Sequence, residues 1–291
     1  MPEEHQSQGG KGKWGRVGVM SLGVLVFLGL FFADKTNLNN PEKSGITETG
    51  MSDEDPTPGP AEVVDIGSLL TTASEQLGKD WKSQYEAALE NQKPLILDSL
   101  AAALEVNGNL PLAARLSNQL LSVDRSLERL VATGRLFFQA SQLDSIQADE
   151  SKRNFFLDEA RKLLTEANVQ DPENENAMLY LGLVKVRSTA PMEGILTLRR
   201  VLEVNPDNVE ASYQLGIFSM QTAQWDKARQ RFEKVLSLQP DAEIVKFQLA
   251  QVWAELGDKQ KASQLLDELI RQTNSGALKQ AATELKNKLI N

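Results

Sequence analysis

Few side chains in this chain of 291 residues are of the types that perform enzymatic chemistry. His5 is the only histidine and cysteine is absent, which excludes Ser–His and Cys–His pairs, thiolate metal ligands and disulfides. No glycine-rich phosphate loop of the Walker type occurs. The triplet Asp53, Glu54 and Asp55 lacks the glycine turn and later glutamate of a calcium loop, so we interpret it as a solvated acidic stretch. We therefore predict a protein that is not an enzyme and uses no cofactor and no metal.

The composition favours a helical and acidic protein. Hydrophobic residues make up 41% of the chain, which is enough for a core, while aromatic residues are only 6%. Alternating strand patterns are missing, so helices are the expected elements. The formal net charge of −9 argues against a sequence-independent grip on nucleic acid phosphates, and we predict no nucleic acid partner.

Residues 17–33 form an apolar run without a charged side chain. As a helix the run covers about 25 Å, somewhat less than a hydrocarbon core of about 30 Å. Trp14 and Arg16 can extend the span from the membrane interface. We predict a retained transmembrane anchor. A cleaved signal peptide is the alternative, although Phe31 and Ala33 fit its small-residue cleavage pattern poorly.

The charges that flank the run predict its orientation. Lys11, Lys13 and Arg16 precede it closely, whereas Lys35 is the only basic residue in the first eight after it. The excess of basic residues places the tail of residues 1–16 in the cytoplasm. In a bacterium the rest of the chain would then face the periplasm, and we predict a single-pass protein of the inner membrane.

Residues 34–62 have the composition of a linker. They carry seven acidic residues against two lysines, together with proline, glycine and serine. Such a stretch has almost nothing to bury in a core. We predict a disordered acidic linker here.

Residues 175–242 contain two copies of one pattern with a period of 34 residues. The equivalent pairs are Ala177 and Ala211, Leu181 and Leu215, Gly182 and Gly216, Gly194 and Ala228, and Pro206 and Pro240. Small residues at the eighth and twentieth positions allow two helices to approach closely, and the late proline stops the second helix. The period and these positions resemble the tetratricopeptide repeat (TPR) family. The resemblance implies an all-α solenoid of helical hairpins, here with a single N-terminal transmembrane helix.

The remaining residues extend this solenoid in both directions. We predict an opening helical hairpin over 63–93, the solenoid over 94–276 and a capping helix over 277–291. The five repeat units are predicted at 94–126, 127–174, 175–208, 209–242 and 243–276. The second unit is longer by an insertion around 141–154, which we expect to form helix extensions with a polar tip near residues 147–151. The insertion is either a binding feature or a tolerated surface addition.

In the TPR family the first helix of each repeat lines the concave surface through about its second, fifth, ninth and twelfth residues. Carried over to this sequence, these positions are mostly apolar, which suits an amphipathic helix or an unfolded segment. The alternative is that some of them pack against neighbouring helices. The predicted groove residues are Leu179, Leu183, Val186, Tyr213, Ile217, Met220, Phe247 and Gln251, with Asn176, Glu210, Ile244 and Ala254 at the other positions. Because Leu179, Tyr213 and Phe247 stand where a chaperone-binding TPR would use lysine or arginine, a carboxylate clamp at those positions is not expected.

The predicted function is a membrane-anchored scaffold that binds proteins through this groove on the periplasmic side. The layout resembles translocon-associated TPR proteins, whose partners would be exported or envelope-assembly polypeptides. It also resembles the TPR subunits of cytochrome c maturation, which hold apocytochrome. A purely structural adaptor in an envelope complex is the third possibility. The sequence does not distinguish among them.

Overall fold

The computed structural model of the protein describes residues 65–188 and 191–290, and every element in these ranges is helical. The helices are α1 Ile66–Leu77, α2 Trp81–Ala87, α3 Lys93–Val106, α4 Leu110–Leu120, α5 Leu127–Ser141, α6 Asp144–Gln147, α7 Glu150–Gln170, α8 Glu175–Val186, α9 Pro191–Val204, α10 Val209–Gln221, α11 Trp225–Leu238, α12 Glu243–Glu255, α13 Lys259–Gln272 and α14 Gly276–Ile290. The predicted tail, anchor and linker at 1–62 lie outside the described residues.

The helices pack as successive hairpins. The pairs are α1 with α2, α3 with α4, α5 with α7, α8 with α9, α10 with α11, and α12 with α13. Each second helix from α4 onward also contacts the first helix of the next pair, and α14 packs on α12 and α13. This nearest-neighbour arrangement is that of a helical solenoid, so the predicted all-α solenoid is confirmed for the described residues.

The same asparagine begins the first helix of the two clearest repeats. The side chain of Asn174 accepts a hydrogen bond from the backbone N–H of Ala177 (3.0 Å), and that of Asn208 accepts one from Ala211 (2.8 Å). Each asparagine satisfies an amide that has no partner inside its helix. Asn208 also donates from Nδ2 to Glu175 Oε1 (2.6 Å), which ties the start of one repeat to the start of the previous one.

The small residues of the repeat lie at helix crossings, as predicted. A Cβ added at Gly182 would lie 2.9 Å from Leu198 Cδ2, and one at Gly216 would lie 2.6 Å from Phe232 Cε1. Gly194 is the tightest position, because its Cβ would lie 2.4 Å from the backbone nitrogen of Val186. The two helices of a repeat therefore touch through positions where no larger residue fits without a shift.

The buried apolar residues fall into two clusters that meet at α10. The first runs from Leu69 in α1 to Leu215 in α10, and the second is built by α11 and α12 around Phe232. On α10 the buried side chains include Ser212 and Ser219, which interrupt the apolar surface between the clusters. The solenoid therefore changes from one core to the next within the repeat at 209–242.

The insertion in the second unit is only partly a helix extension. α7 is lengthened at its start, but α5 ends at Ser141 and a separate short helix, α6, follows. Ile146 of α6 is 8% exposed and belongs to the first core cluster. Ile146 fixes α6 against the hairpin by apolar burial, while the other residues of α6 and the start of α7 are exposed.

Among the residues that the structure describes, none of the helices has both the length and the apolar character that crossing a bilayer requires. The anchor predicted at residues 17–33 lies outside the described residues and so stays a prediction.

Candidate partner-binding surface

The structure divides the eight predicted groove residues into two groups. Leu179, Leu183 and Phe247 are buried, with exposed fractions of 6%, 2% and 3%. Those with half-buried side chains are Val186, Tyr213, Ile217, Met220 and Gln251. The prediction of a mostly apolar open groove was therefore wrong for the three buried residues, since they have almost no surface to offer a partner.

The reason lies in how closely adjacent hairpins pack. α8 contacts α5, α7 and α9, so Leu179 and Leu183 are covered and join the first core cluster. α12 is likewise covered by α11, α13 and α14. The family's positional rule states which way a residue faces, but it does not state whether the next hairpin covers that residue. Burial on that scale makes these side chains part of the core.

A strip of polar and aromatic side chains lies on the first helices of successive hairpins, and its members are at least partly accessible except Phe138 and Gln248, which are each 7% exposed. We call it the first-helix strip. It consists of Glu105 on α3, Arg135, Phe138 and Gln139 on α5, Tyr180 and Arg187 on and just after α8, Glu210, Tyr213 and Gln214 on α10, and Gln248 on α12. Of these ten residues the sequence prediction contained two, Tyr213 as a groove residue and Glu210 at a secondary position.

One end of the strip is held by ion pairs and hydrogen bonds. Arg135 donates from Nη1 to Glu105 Oε1 (2.9 Å) and to Gln139 Oε1 (2.8 Å). Gln214 donates from Nε2 to Glu210 Oε1 (2.9 Å) further along. These groups form hydrogen bonds within the protein, so they fix the geometry of the strip and do not present an unpaired charge to a partner.

Arg187 is the exception. Its guanidinium carbon lies 5.2 Å from the centre of the Phe138 ring, a cation–π arrangement between neighbouring hairpins. Within residues 65–188 and 191–290 its side chain forms no ion pair. Part of the side chain is exposed, yet the surrounding protein lowers the pKa of the guanidinium by desolvation, against the opposing charge of Glu210. Arg187 is therefore an exposed cation that stacks on an aromatic ring and forms no ion pair in the described part of the chain.

Two tyrosines flank the Phe138–Arg187 pair, Tyr180 beside Phe138 and Tyr213 near Arg187. The ring centres of Tyr180 and Phe138 are 6.1 Å apart, and Tyr213 lies 6.3 Å from Phe232. Burial raises the pKa of both phenols, so both keep their proton at neutral pH. Tyr213 Oη accepts a hydrogen bond from Gln248 Nε2 (3.2 Å). The hydroxyl groups are thus neutral and can hydrogen-bond to a partner.

The sequence offered only a weak signal for this strip. Tyr180 and Arg187 occupy the sixth and thirteenth positions of their repeat, outside the set carried over from the family. Phe138 belongs to the degenerate unit before it, where the insertion obscures the register. Phe138 and Arg187 could have been predicted to be neighbours only if the register of the earlier repeat were known.

The strip has none of the clusters that hold metal ions. In the part of the chain that the structure describes, no group of three or more histidine, aspartate or glutamate residues is arranged around a possible ion. The chemistry that the strip can perform is recognition, through one cation, two phenols and several amides.

Comparison with known proteins identifies a family for part of the chain. Residues 193–246 and 224–285 match the family model described as tetratricopeptide repeat. These residues of the chain are TPR repeats. The two matched segments cover the second half of the repeat at 175–208 and all of the following repeats, and the fold of this family is an interaction scaffold.

Solved TPR structures share the fold at low sequence identity. A tetratricopeptide repeat protein from Parabacteroides merdae ATCC 43184 is 16% identical, with a TM-score of 0.52 over 76% of this chain and 87% of that one. MamA is 18% identical, with a TM-score of 0.47 over 62% and 92%. YrrB, described as a TPR protein with an unusual peptide-binding site, is 20% identical, with a TM-score of 0.44 over 75% and 99%. No curated protein matches the chain. The first of these similarities supports the solenoid fold, and none of them carries a partner over to this TPR protein.

Proposed function

We propose that this TPR protein is a membrane-anchored scaffold that binds polypeptide segments of envelope partners along the first-helix strip on the periplasmic side. The observation that carries the binding surface is the exposed Arg187, stacked on Phe138 and without an ion pair among the described residues. A carboxylate of the partner would meet this cation in a partly desolvated site. Charge-assisted hydrogen bonds in such sites are stronger than those in open solvent.

The neighbours of Arg187 suit a peptide rather than a small ion. The hydroxyls of Tyr180 and Tyr213 can bond peptide groups, and the half-buried Ile217 and Met220 add apolar surface one to two turns further along α10. The binding surface is therefore amphipathic, not the mostly apolar groove expected from the sequence.

Arg187→Gln tests the binding surface. The change removes the charge and keeps hydrogen-bonding capacity. The Arg187 side chain is exposed and forms no ion pair among the described residues, so its replacement breaks no ion pair of the fold. A photo-crosslinking residue placed at Gln214 would be used to recover partners from membranes. We expect Arg187→Gln to lower their recovery by about tenfold, because a hydrogen bond to a charged group contributes about 1.5–3 kcal/mol.

Arg200→Gln is the matched control. Arg200 is an exposed arginine of α9 outside the strip, and its removal changes the net charge equally. Equal recovery from the Arg187→Gln variant and the parent protein would refute the assignment of the strip. Equal loss from both variants would show a general charge effect and would refute it too.

The anchor and its orientation rest on the sequence alone. A reporter enzyme that is active only outside the cytoplasm, fused after Asn291, should be active, and the protein should stay in the membrane fraction. Soluble protein that begins near Asp34 would show instead that residues 17–33 are a cleaved signal.

The stoichiometry of the crosslinked species distinguishes the classes of partner. A scaffold for exported chains yields many weakly bound partners, whereas a structural adaptor yields one stable complex of fixed composition. Recovery of apocytochrome alone would select the cytochrome c maturation alternative.

A further inference from the structure

A second candidate surface lies on the opposite side of the hairpins, away from the first-helix strip. It is a cleft of about 410 Å³ between the second helices α9 and α11, with the first helix α10 as its floor. The lining residues are Arg199, Leu215, Phe218, Ser219, Gln224, Lys227, Gln230, Arg231 and Lys234. The cleft is at the junction of the two core clusters, where α10 passes from one to the other.

Four of the nine lining side chains are cationic and none is acidic. This is unexpected in a chain whose net charge is −9. Lys234 pairs with Asp207 (2.5 Å), and Lys227 donates to the neutral amide of Gln224 (2.6 Å) and to no carboxylate among the described residues. Neither Arg199 nor Arg231 forms an ion pair within the described ranges. Three positive charges therefore face the cleft without a carboxylate to balance them.

The two arginines also affect each other. Desolvation, followed by the neighbouring charge of Arg199, lowers the pKa of Arg231. Like charges in one cleft oppose folding unless a negative group lies between them. The guanidinium group of each arginine presents paired N–H donors, which match the two oxygens of a carboxylate.

We propose that this cleft binds an acidic segment of a partner protein, with carboxylates paired to Arg199, Arg231 and Lys227. The rest of the lining supports a polypeptide over a bare anion. The exposed Gln230 offers an amide group suited to a peptide backbone, and the half-buried Phe218 offers an aromatic face to an apolar side chain. The site is independent of the strip around Arg187, so either can fail without the other.

Fluorescence anisotropy with a labelled peptide tests the proposal directly. The probe is a fluorescein-labelled peptide of six glutamates with a central phenylalanine, titrated with the full-length chain at low and at physiological ionic strength. The same peptide with glutamines is the uncharged control. We expect the glutamate peptide to bind, more weakly at the higher salt, and the glutamine peptide not to bind.

Three variants locate the binding. Arg199→Gln alone should weaken it about tenfold, and Arg199→Gln combined with Arg231→Gln should weaken it about a hundredfold, if each lost contact contributes as hydrogen bonds to charged groups do. Arg200→Gln, the adjacent arginine of α9 outside the cleft, should leave the affinity unchanged. Because Arg199 is exposed, its single variant reports on binding even if the double variant folds poorly.

Thermal melting separates recognition from structure. Without the peptide, the double variant should melt at the parent temperature or above it, since two mutually repelling charges are removed. Unchanged peptide affinity in Arg199→Gln, or an equal loss in Arg200→Gln, would overturn the proposal. Binding to anionic phospholipid vesicles or inorganic phosphate with no binding to the glutamate peptide would overturn it as well.

Discussion

Gly194→Ala is the sharpest test of the helix packing in this solenoid. The change adds one methyl group to α9 where that helix crosses α8. The new Cβ would lie 2.4 Å from Val186 N, 2.6 Å from Gly182 O and 2.7 Å from Val186 Cγ2. Two of these three atoms belong to the backbone, so they cannot move aside by a change of rotamer.

The size of the effect follows from these distances. Ordinary contacts lie at about 3.5–4.0 Å, so α8 and α9 must separate by about 1 Å. Overpacking costs about 1–3 kcal/mol, and we expect a cost at the upper end of this range because the new Cβ clashes with backbone atoms of two residues of α8. Alanine is favoured over glycine inside a helix by about 1 kcal/mol, which offsets part of that cost. We expect a net loss of about 2 kcal/mol in the free energy of unfolding.

Thermal unfolding followed by circular dichroism measures this loss. For a domain of this size 2 kcal/mol corresponds to a decrease in Tm of about 4–8 °C. Gly276→Ala is the matched control, because a Cβ added at Gly276 in α14 meets no atom within 4 Å. Its Tm should stay the same or rise by a few degrees. A Gly194→Ala variant that melts at or above the parent Tm would refute the close crossing of α8 and α9.

Three further outcomes are expected. Ala223→Gly should raise Tm by about 2–4 °C, because Ala223 has φ of 53° where Gly257, 34 residues later, has φ of 83°, and left-handed backbone costs alanine about 1 kcal/mol; a lower Tm would contradict this. Phe247→Ala should lower the free energy of unfolding by about 3–5 kcal/mol, since the side chain is buried. A denaturant titration that gives almost the parent free energy of unfolding would show that Phe247 lies in an open groove instead. Arg129→Gln should raise the pKa of Asp124 from about 2 part of the way toward 3.8, because Arg129 is the largest cause of the lowered pKa and the hydrogen bonds with Ser126 remain. The stabilisation from Asp124, present above pH 3.8 and lost as the pH falls to about 2, is then lost at a higher pH; titration by NMR measures the shift, and an unmoved pKa would reject the pairing.

The sequence was sufficient for the repeat because the features that define it are local. Gly182 and Gly216 lie where a repeat of 34 residues requires close approach, and the crossings are seen there. Asn174 and Asn208 begin first helices at the same spacing. A constraint that each hairpin must satisfy by itself appears in the sequence at a fixed position.

The binding surface could not be predicted in the same way, because it depends on which hairpin covers which face. Leu183 occupies a position that lines the groove in the family, yet it is 2% exposed here. Arg187 gains its environment from Phe138, which is 49 residues earlier and separated from it by the insertion. The cationic cleft combines Arg199 and Arg231, which are 32 residues apart and so not equivalent positions of the repeat.

The two candidate surfaces differ in how far their cationic side chains are ion-paired within the protein. On the first-helix strip Arg135 is ion-paired within the chain, whereas Arg187 stacks on Phe138 and forms no ion pair among the described residues. In the cleft desolvation and then the charge of Arg199 lower the pKa of Arg231, and repulsion between like charges opposes folding. A solenoid can carry such a cost because each hairpin contacts only its neighbours, and the destabilisation stays within α9, α10 and α11. An acidic ligand would remove the repulsion on binding. The stability of α9, α10 and α11 should therefore rise as the ligand occupies the cleft.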